Sequence, residues 1–356
     1  MTLFTLFFCN FHFNQLKFLH TNDTMNLNKE SYYMNNKEIS IFTVAEKAGV
    51  SITTVSRVLN NKGSVKQSTC NKVFEAAHKL GYEIKENWKH LIILNLPNIA
   101  NPFYHEIAKG VHASALRNGY KVLINICDGD NIAKDIATIA ESENAAGVII
   151  LNNLNLDDLK IIKRKTNVVQ CCDYCENSGV PYVSANEKKE MNSAMDYILS
   201  NGKRKIALIN GSLKYKYAQN HLKNYSRYLK EHKLSYRGEW VVEMPEVNYD
   251  LAVSVISRML KSENRPDAIL AVSDVYAAAA LHAAKNTGIE IKKDLVIVGF
   301  GNIDISRMCI PPITTINQPK YEIGCNACEL LIEIIKNPFK TYQNIILDTE
   351  LIIRET

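Results

Sequence analysis

The residues whose types and spacing best suit chemistry lie in IFTVAEKAGVSITTVSRVLNN, from Ile41 to Asn61. Val55, Val58 and Leu59 recur at i, i+3 and i+4, the spacing of one buried helix face. Ile52, Thr53, Ser56, Arg57 and Asn60 then fall on the outward face. Short hydrogen-bonding side chains around one Arg suit the major groove of duplex DNA. There a guanidinium can pair bidentately with guanine, and Thr or Ile methyls can touch thymine. Such an Arg–guanine pair is worth ~1–3 kcal/mol of discrimination, and a phosphate contact is the other role open to Arg57. A two-helix corner with a solvated polar face is the alternative reading of the whole stretch.

Thiolates are the second candidate chemistry. The nine cysteines are odd in number and scattered, which argues against a secreted disulfide framework and for reduced thiols in a cytosol. Cys172–Cys175 and Cys325–Cys328 have CxxC spacing and could bind zinc if the two pairs met in space. Against this, Cys171 and Cys172 end an apolar run, and Cys325 and Cys328 fall on an amphipathic helix. No metal or cofactor is expected. The chain also has no G-x-G-x-x-G after a strand, no phosphate loop ending in Lys-Ser/Thr and no nucleophile elbow, so no enzyme class is favoured.

The elements that must position these residues follow from the pattern. Thr43 is expected to cap a short first helix, Gly49 to make the turn, and Ser51 to cap the second helix. A third helix is predicted from Lys66 to Leu80, with Val73, Phe74, Ala77 and Leu80 as its apolar stripe and Gly81 as its cap. Nine Lys/Arg against five Asp/Glu between Asn36 and His90 give that stretch +4 of the chain's net +5, as a phosphate-binding surface requires. At 356 residues, 46% hydrophobic and 22% charged, the chain can fold as two or three soluble domains. Its opening MTLFTLFFCNFHFNQLKFLH has no basic residue before the apolar part and is interrupted by Asn10, His12 and Asn14. Residues 1–35 are therefore read as a non-native or disordered extension, with Met25 or Met34 as the expected start. No apolar run approaches the ~20 residues of a membrane span, so a cytoplasmic protein without a membrane partner is expected.

From Leu91 the period changes. Strand-length runs (91–96, 121–126, 147–151, 168–172, 205–210, 268–272, 295–300) alternate with helix-length amphipathic stretches. Continuous Val/Ile/Leu runs suit strands buried on both faces of a parallel sheet, and the alternation predicts a doubly wound α/β architecture. Two sheets with a cleft at their carboxyl ends accommodate this many units.

At this point the chain resembles the LacI/GalR family of transcription repressors, from about Ile39 to Glu355. TVAEKAGVSITTVSRVLNN is similar to the family signature almost position for position. NPFY at 101–104, GYKVLINICDGD at 119–130, Ser273-Asp274, VIVGF at 296–300, PPITTINQP at 311–319 and TELIIRE at 349–355 resemble its other landmarks. CCDY at 171–174 with PYVSAN at 181–186 is more similar to its nucleoside-responsive branch. The resemblance implies a small all-α helix-turn-helix domain followed by a two-subdomain, doubly wound periplasmic-binding-protein-like core. The expected divisions are the extension 1–35, the DNA-binding domain 36–82, a linker 83–90 and the effector-binding and dimerisation core 91–356. It further implies a homodimer on a pseudo-palindromic DNA operator, and a sugar or nucleoside effector of unknown identity in the cleft. The alternative is an effector-independent or degenerate member, and a solute-binding or enzymatic role fits less well. The chain is expected to cross between subdomains near 187, within 272–301 and near 318. Carried over by motif, Ile52, Thr53 and Arg57 would touch base edges. Ser51, Thr54, Ser56, Asn60 and Thr69 would touch phosphates.

Two departures from the family stand out. Only eight residues separate Tyr82 from Leu91, too few for the family's hinge helix with its connectors at ~1.5 Å per residue, and none is Leu or Met. Ile84 or Trp88 would have to act as any minor-groove wedge, and weaker DNA bending is expected. In the pocket, the family's clamping Arg falls near His221, its Gly-Phe-Asp carboxylate is replaced by Gly301, and its Val-x-x-Asp-Asn carboxylate by Ala185. Phe103, Tyr104, His221 and Ser273 are left as the expected effector lining. Core packing is the other role for Phe103 and Tyr104, and helix capping for Asp274.

Overall fold

The computed structural model describes residues 40–59, 65–82 and 90–356. The chain forms two compact units that part between residues 87 and 88. The extension at 1–35, Asn60, and linker positions 83–89 lie outside the described residues. So do the expectations that concern the start and the hinge.

In the first unit, α1 (Ile41–Ala48), α2 (Ile52–Leu59) and α3 (Gln67–Leu80) surround one small core. Val44, Val55, Val73 and Ala77 are fully buried in it. The first helix begins nearly a turn before the expected cap, so Thr43 lies within it. Its hydroxyl accepts from Ser40 N (3.0 Å) and donates to Ser40 O (2.8 Å). Gly49 (φ 64°) ends α1 and Gly81 (φ 67°) ends α3, both left-handed. Phe74 corrects the expected stripe. It sits one residue, or about 100° of helix, round from Val73 and is 48% exposed, while Cys70 and Ala76 take the inward positions.

The second unit holds two six-stranded sheets. The first half-chain runs β1 (Leu91–Leu96), α4 (Phe103–Arg117), β2 (Lys121–Ile126), α5 (Ile132–Ser142), β3 (Gly147–Ile150), α6 (Leu156–Lys163), β4 (Asn167–Cys171) and β5 (Tyr182–Ala185). The second runs α7 (Glu187–Ser200), β6 (Ile206–Asn210), α8 (Lys216–Glu231), β7 (Val241–Glu243), α9 (Tyr249–Leu260), β8 (Ala268–Ala271), α10 (Asp274–Thr287), β9 (Val296–Phe300), α11 (Asp304–Met308) and β10 (Thr314–Asn317). The chain closes with α12 (Lys320–Lys336), β11 (Ile345–Leu347) and β12 (Glu350–Ile352). The first sheet has the order β11-β5-β4-β3-β1-β2, the second β12-β10-β9-β8-β6-β7. All pairings are parallel except β12 against β10. Strands β3, β6, β8 and β9 are buried along their whole length, the reason they read as unbroken apolar runs.

Three crossings join the two halves. Two lie where the sequence places them, at Asn186 and at Gln318–Pro319. The crossing expected within 272–301 does not exist, because β8 and β9 pair directly in one sheet. The third crossing is instead at 348–349, between β11 of the first sheet and β12 of the second. Helices α4 and α12 pack backbone to backbone. A Cβ at Gly324 would lie 3.0 Å from Ile107 C and Val111 N, and closer still to Ile107 O. One at Gly110 would meet Tyr321 O.

Candidate DNA-reading face and effector cleft

Helix α2 is held by the two residues that start it. Ser51 Oγ accepts from Thr54 N at 3.1 Å and shares a 2.8 Å bond with Thr54 Oγ1, capping an otherwise orphaned donor. Val55 and Val58 anchor the helix inward. Ser51, Ile52, Thr53 and Arg57 are exposed, while Thr54 and Ser56 are half-buried. Thr53 and Arg57, four residues apart, share one stripe of the helix surface. Ile52 leaves an apolar side chain 42% exposed at the helix start. Thr69 is half-buried in the first turn of α3, where free backbone N–H groups favour an anion.

In the second unit, one cavity of about 90 Å³ is lined from both subdomains at the carboxyl ends of the strands. The expected Phe103, Tyr104, His221 and Ser273 all line it, as do Ala185 and Gly301 where the family pattern has carboxylates. Phe103 and Tyr104 meet edge to face at the start of α4, their centroids 5.7 Å apart. Ser273 also caps α10, its Oγ accepting from Val275 N at 3.2 Å. Asp274 does not cap. It is fully buried and accepts from Ile303 N (2.8 Å) and Thr315 Oγ1 (2.6 Å), pinning the loop after β9. Burial pushes its carboxyl up to about 6.

Several cavity residues were not among the expected lining: Asp173 after β4, Glu187 and Glu190 opening α7, Tyr217 on α8, and Gln318 at a crossing, of which only Asp173 and Gln318 fall within a quoted motif. Their common signal is position, since all lie just beyond a strand's carboxyl end or one helical turn into the element that follows. His221 Nε2 meets Glu190 Oε1 at 3.0 Å, and Gln318 Nε2 donates to Glu190 Oε2 at 2.9 Å. Burial lowers the His221 pKa, but the bond to Glu190 and the charges of Glu190 and Glu187 outweigh it and hold the imidazole above its usual value. Burial raises Asp173 to about 6 and Glu187 to about 7.

Bonds span the cleft as well. Tyr217 N donates to Asp173 Oδ1 at 3.1 Å, and Asn153 Nδ2 to Lys214 O at 2.5 Å. Lys214 Nζ stands 3.4 Å from Asp128. These ties join residues of the β1–β5 half to residues of the β6–β10 half. Among the described residues no three His, Cys, Asp or Glu side chains converge as a metal site. Cys325 Sγ donates to Gly110 O, and Cys328 is buried between α12 and the first sheet.

A model of the family described as bacterial regulatory proteins, lacI family, matches residues 40–83. A model of a periplasmic binding protein-like domain matches residues 195–356. The chain is 30% identical over 321 residues to the HTH-type transcriptional repressor CytR of Escherichia coli strain K12, covering 87% of this chain and 94% of that protein. It is 28% identical over 330 residues to the HTH-type transcriptional repressor PurR of Vibrio parahaemolyticus, covering 89% and 98%. The lac repressor dimer bound to operator and the anti-inducer ONPF shares the fold, with a TM-score of 0.69 at 21% identity over 89% of this chain and 98% of that one.

Proposed function

This chain belongs to the lacI family of bacterial regulatory proteins, and on that premise we propose that it is a cytoplasmic repressor acting as a homodimer. Two copies of α2 read a pseudo-palindromic operator, and a small molecule in the cleft sets the affinity. The observation that carries this reading is the exposed, capped face of α2. Arg57, Thr53 and Ile52 are assigned to base edges, Arg57 as the guanine reader. Ser51, Thr54, Ser56, Asn60 and Thr69 are assigned to phosphates, which position the helix but carry no sequence information. No residue is assigned a catalytic role. No helix among the described residues is long and apolar enough to cross a membrane.

The cleft supplies the regulatory half. Its cross-cleft bonds are few and polar, so a ligand that adds contacts to both walls shifts the balance between open and closed arrangements by its differential affinity for them. Phe103, Tyr104, His221 and Ser273 are assigned to that ligand.

The test is fluorescence anisotropy of the full chain on labelled DNA from its own promoter region, titrated with salt and random-sequence competitor. Binding that beats competitor by ~10³ or more supports a working reader. Binding that competitor abolishes and that falls steeply with salt would leave phosphate contacts alone and overturn the operator assignment.

A further inference from the structure

The cavity has a one-sided charge balance. Asp173, Glu187 and Glu190 line it, and none of the lining residues is Lys or Arg. Glu190 is balanced by His221 at 3.0 Å. Asp173 and Glu187 have no cation in bonding contact: the His221 charge acts on both, and that of Lys216 on Asp173, only from a distance, so three carboxyls share one lining imidazole. Asp173, buried, accepts from the neutral backbone N–H of Tyr217, and Glu187, half-buried, accepts from the neutral amide of Asn220. The nearby ammonium groups are engaged elsewhere. Lys216 Nζ stands 3.7 Å from Glu176, and Lys320 Nζ bonds Gly301 O and Gln318 O. A carboxylate held out of water without a directly paired cation is costly, and burial outweighs these distant charges and raises both carboxyls well above their usual range.

A second feature points to a missing partner. His221 is 3% exposed and lines the cavity, and its Nδ1 is buried with no hydrogen-bond partner. With Nε2 on Glu190, a protonated ring presents Nδ1–H as a donor that needs an acceptor. Around these groups stand Phe103, Tyr104, Tyr217 and Phe300, and aromatic faces of this kind attract cations. No three of the side chains converge on a point where a metal ion could sit. The volume of about 90 Å³ holds roughly six to nine water-sized groups at ~10–15 Å³ each, the scale of a small polar molecule.

We infer that the ligand of this cavity is an organic cation. Its primary or secondary ammonium pairs with Glu187 and Asp173, and an oxygen on the same molecule accepts from His221 Nδ1, as in an amino sugar or amino alcohol. The inference rests on the reading of this cavity as the effector site.

Thermal denaturation of the full chain tests it with two matched pairs, D-glucosamine against D-glucose and serinol against glycerol, with cytidine as a neutral nucleoside. At about ten times its Kd an amine should raise Tm by about 3–6 °C, and its hydroxyl analogue should not. Amine affinity should rise with pH as Asp173 and Glu187 ionise, up to the pH at which His221 or the amine itself loses its proton, and should fall about tenfold in Glu187→Gln. Glucose or cytidine stabilising as well as the amines would overturn the inference. So would no shift with either amine, or an amine effect untouched by both Glu187→Gln and Asp173→Asn. Operator anisotropy on the same samples separates the two readings. An amine that stabilises the chain without changing DNA affinity keeps the cation assignment and removes the effector role. A neutral sugar that changes DNA affinity while amines do nothing does the reverse.

Discussion

Replacing Gly324 with Ala sets two physical effects against each other. Gly324 lies inside α12 and is buried. In an ordinary helix interior Ala is better than Gly by ~0.5–1 kcal/mol, so propensity alone predicts a more stable protein. The helix crossing predicts the opposite. The new methyl would stand 3.0 Å from Ile107 C and Val111 N, and nearer to Ile107 O. These are backbone atoms of α4 and cannot rotate aside. To reach the ~3.5 Å at which carbon contacts become favourable, α4 and α12 must separate by at least ~0.5 Å along their seam. Overpacking of this kind costs typically ~1–3 kcal/mol, and unyielding backbone places this case at the upper end. Subtracting the propensity gain leaves a net loss of roughly 2 kcal/mol, or about 4–8 °C in Tm for a domain of this size. Urea unfolding of Gly324→Ala should therefore show a lower midpoint at unchanged slope. Gly119→Ala, where nothing lies within 4 Å but φ is +76°, serves as the strain-only comparison. A Gly324→Ala protein as stable as its parent, or more so, would refute the close-packed crossing. Because α4 begins with Phe103 and α12 begins two residues after Gln318, the same shift should also weaken ligand binding in the cavity.

Other outcomes follow from single groups. Arg57→Ala should lower specific operator affinity by about 5- to 150-fold, equivalent to ~1–3 kcal/mol, with little change in random-sequence binding, both read by anisotropy. Ser51→Ala removes the acceptor for Thr54 N and should cost the first unit ~1 kcal/mol, read as a drop in its Tm or in the helical CD signal. Burial raises Glu187 to about 7 and Asp173 to about 6, above their values in the unfolded chain. A carboxyl raised on folding stabilises fully below its unfolded pKa, and that contribution is lost as pH rises through the folded one. Stability without added ligand should therefore fall between about pH 4 and pH 7. Glu187→Gln should raise stability at about pH 8, by at most roughly 3 kcal/mol and less where solvent reaches this half-buried group, and should change it little at about pH 4. Tm measured across that range checks the sign. Phe74→Ala, at a side chain 48% exposed, should cost under ~0.5 kcal/mol in urea unfolding.

The helix-turn-helix was legible because its determinants are local. Period, turn glycine and cap all fall within Ile41–Leu59, and hydrogen bonds spanning three residues, such as Ser51 to Thr54, belong to sequence neighbours. The alternation of strands and helices from Leu91 was equally legible, since strands buried on both faces have little choice but to be apolar. Short edge elements were not. Strands β7, β11 and β12 have three residues each, too few to establish a period, and the third crossing at 348–349 went unseen for that reason. Asp274 stood at a helix start and resembled a cap. Only the approach of Thr315 on β10 and of Ile303 in the loop after β9 showed its carboxylate at work elsewhere.

The sequence alone thus determined the fold class and the exposed face of α2, because residue type and short-range spacing are sufficient for those, and its family resemblance pointed to four residues that line the cleft. Tertiary structure decided the chemistry of the cleft. Asp173 meets the backbone of Tyr217 across 44 positions of chain, and Glu190 meets His221 across 31. The charge state of each group is set by how much water is excluded around it and by which charge stands opposite. Neither quantity exists along the chain until two sheets, joined by three crossings, bring their carboxyl ends together.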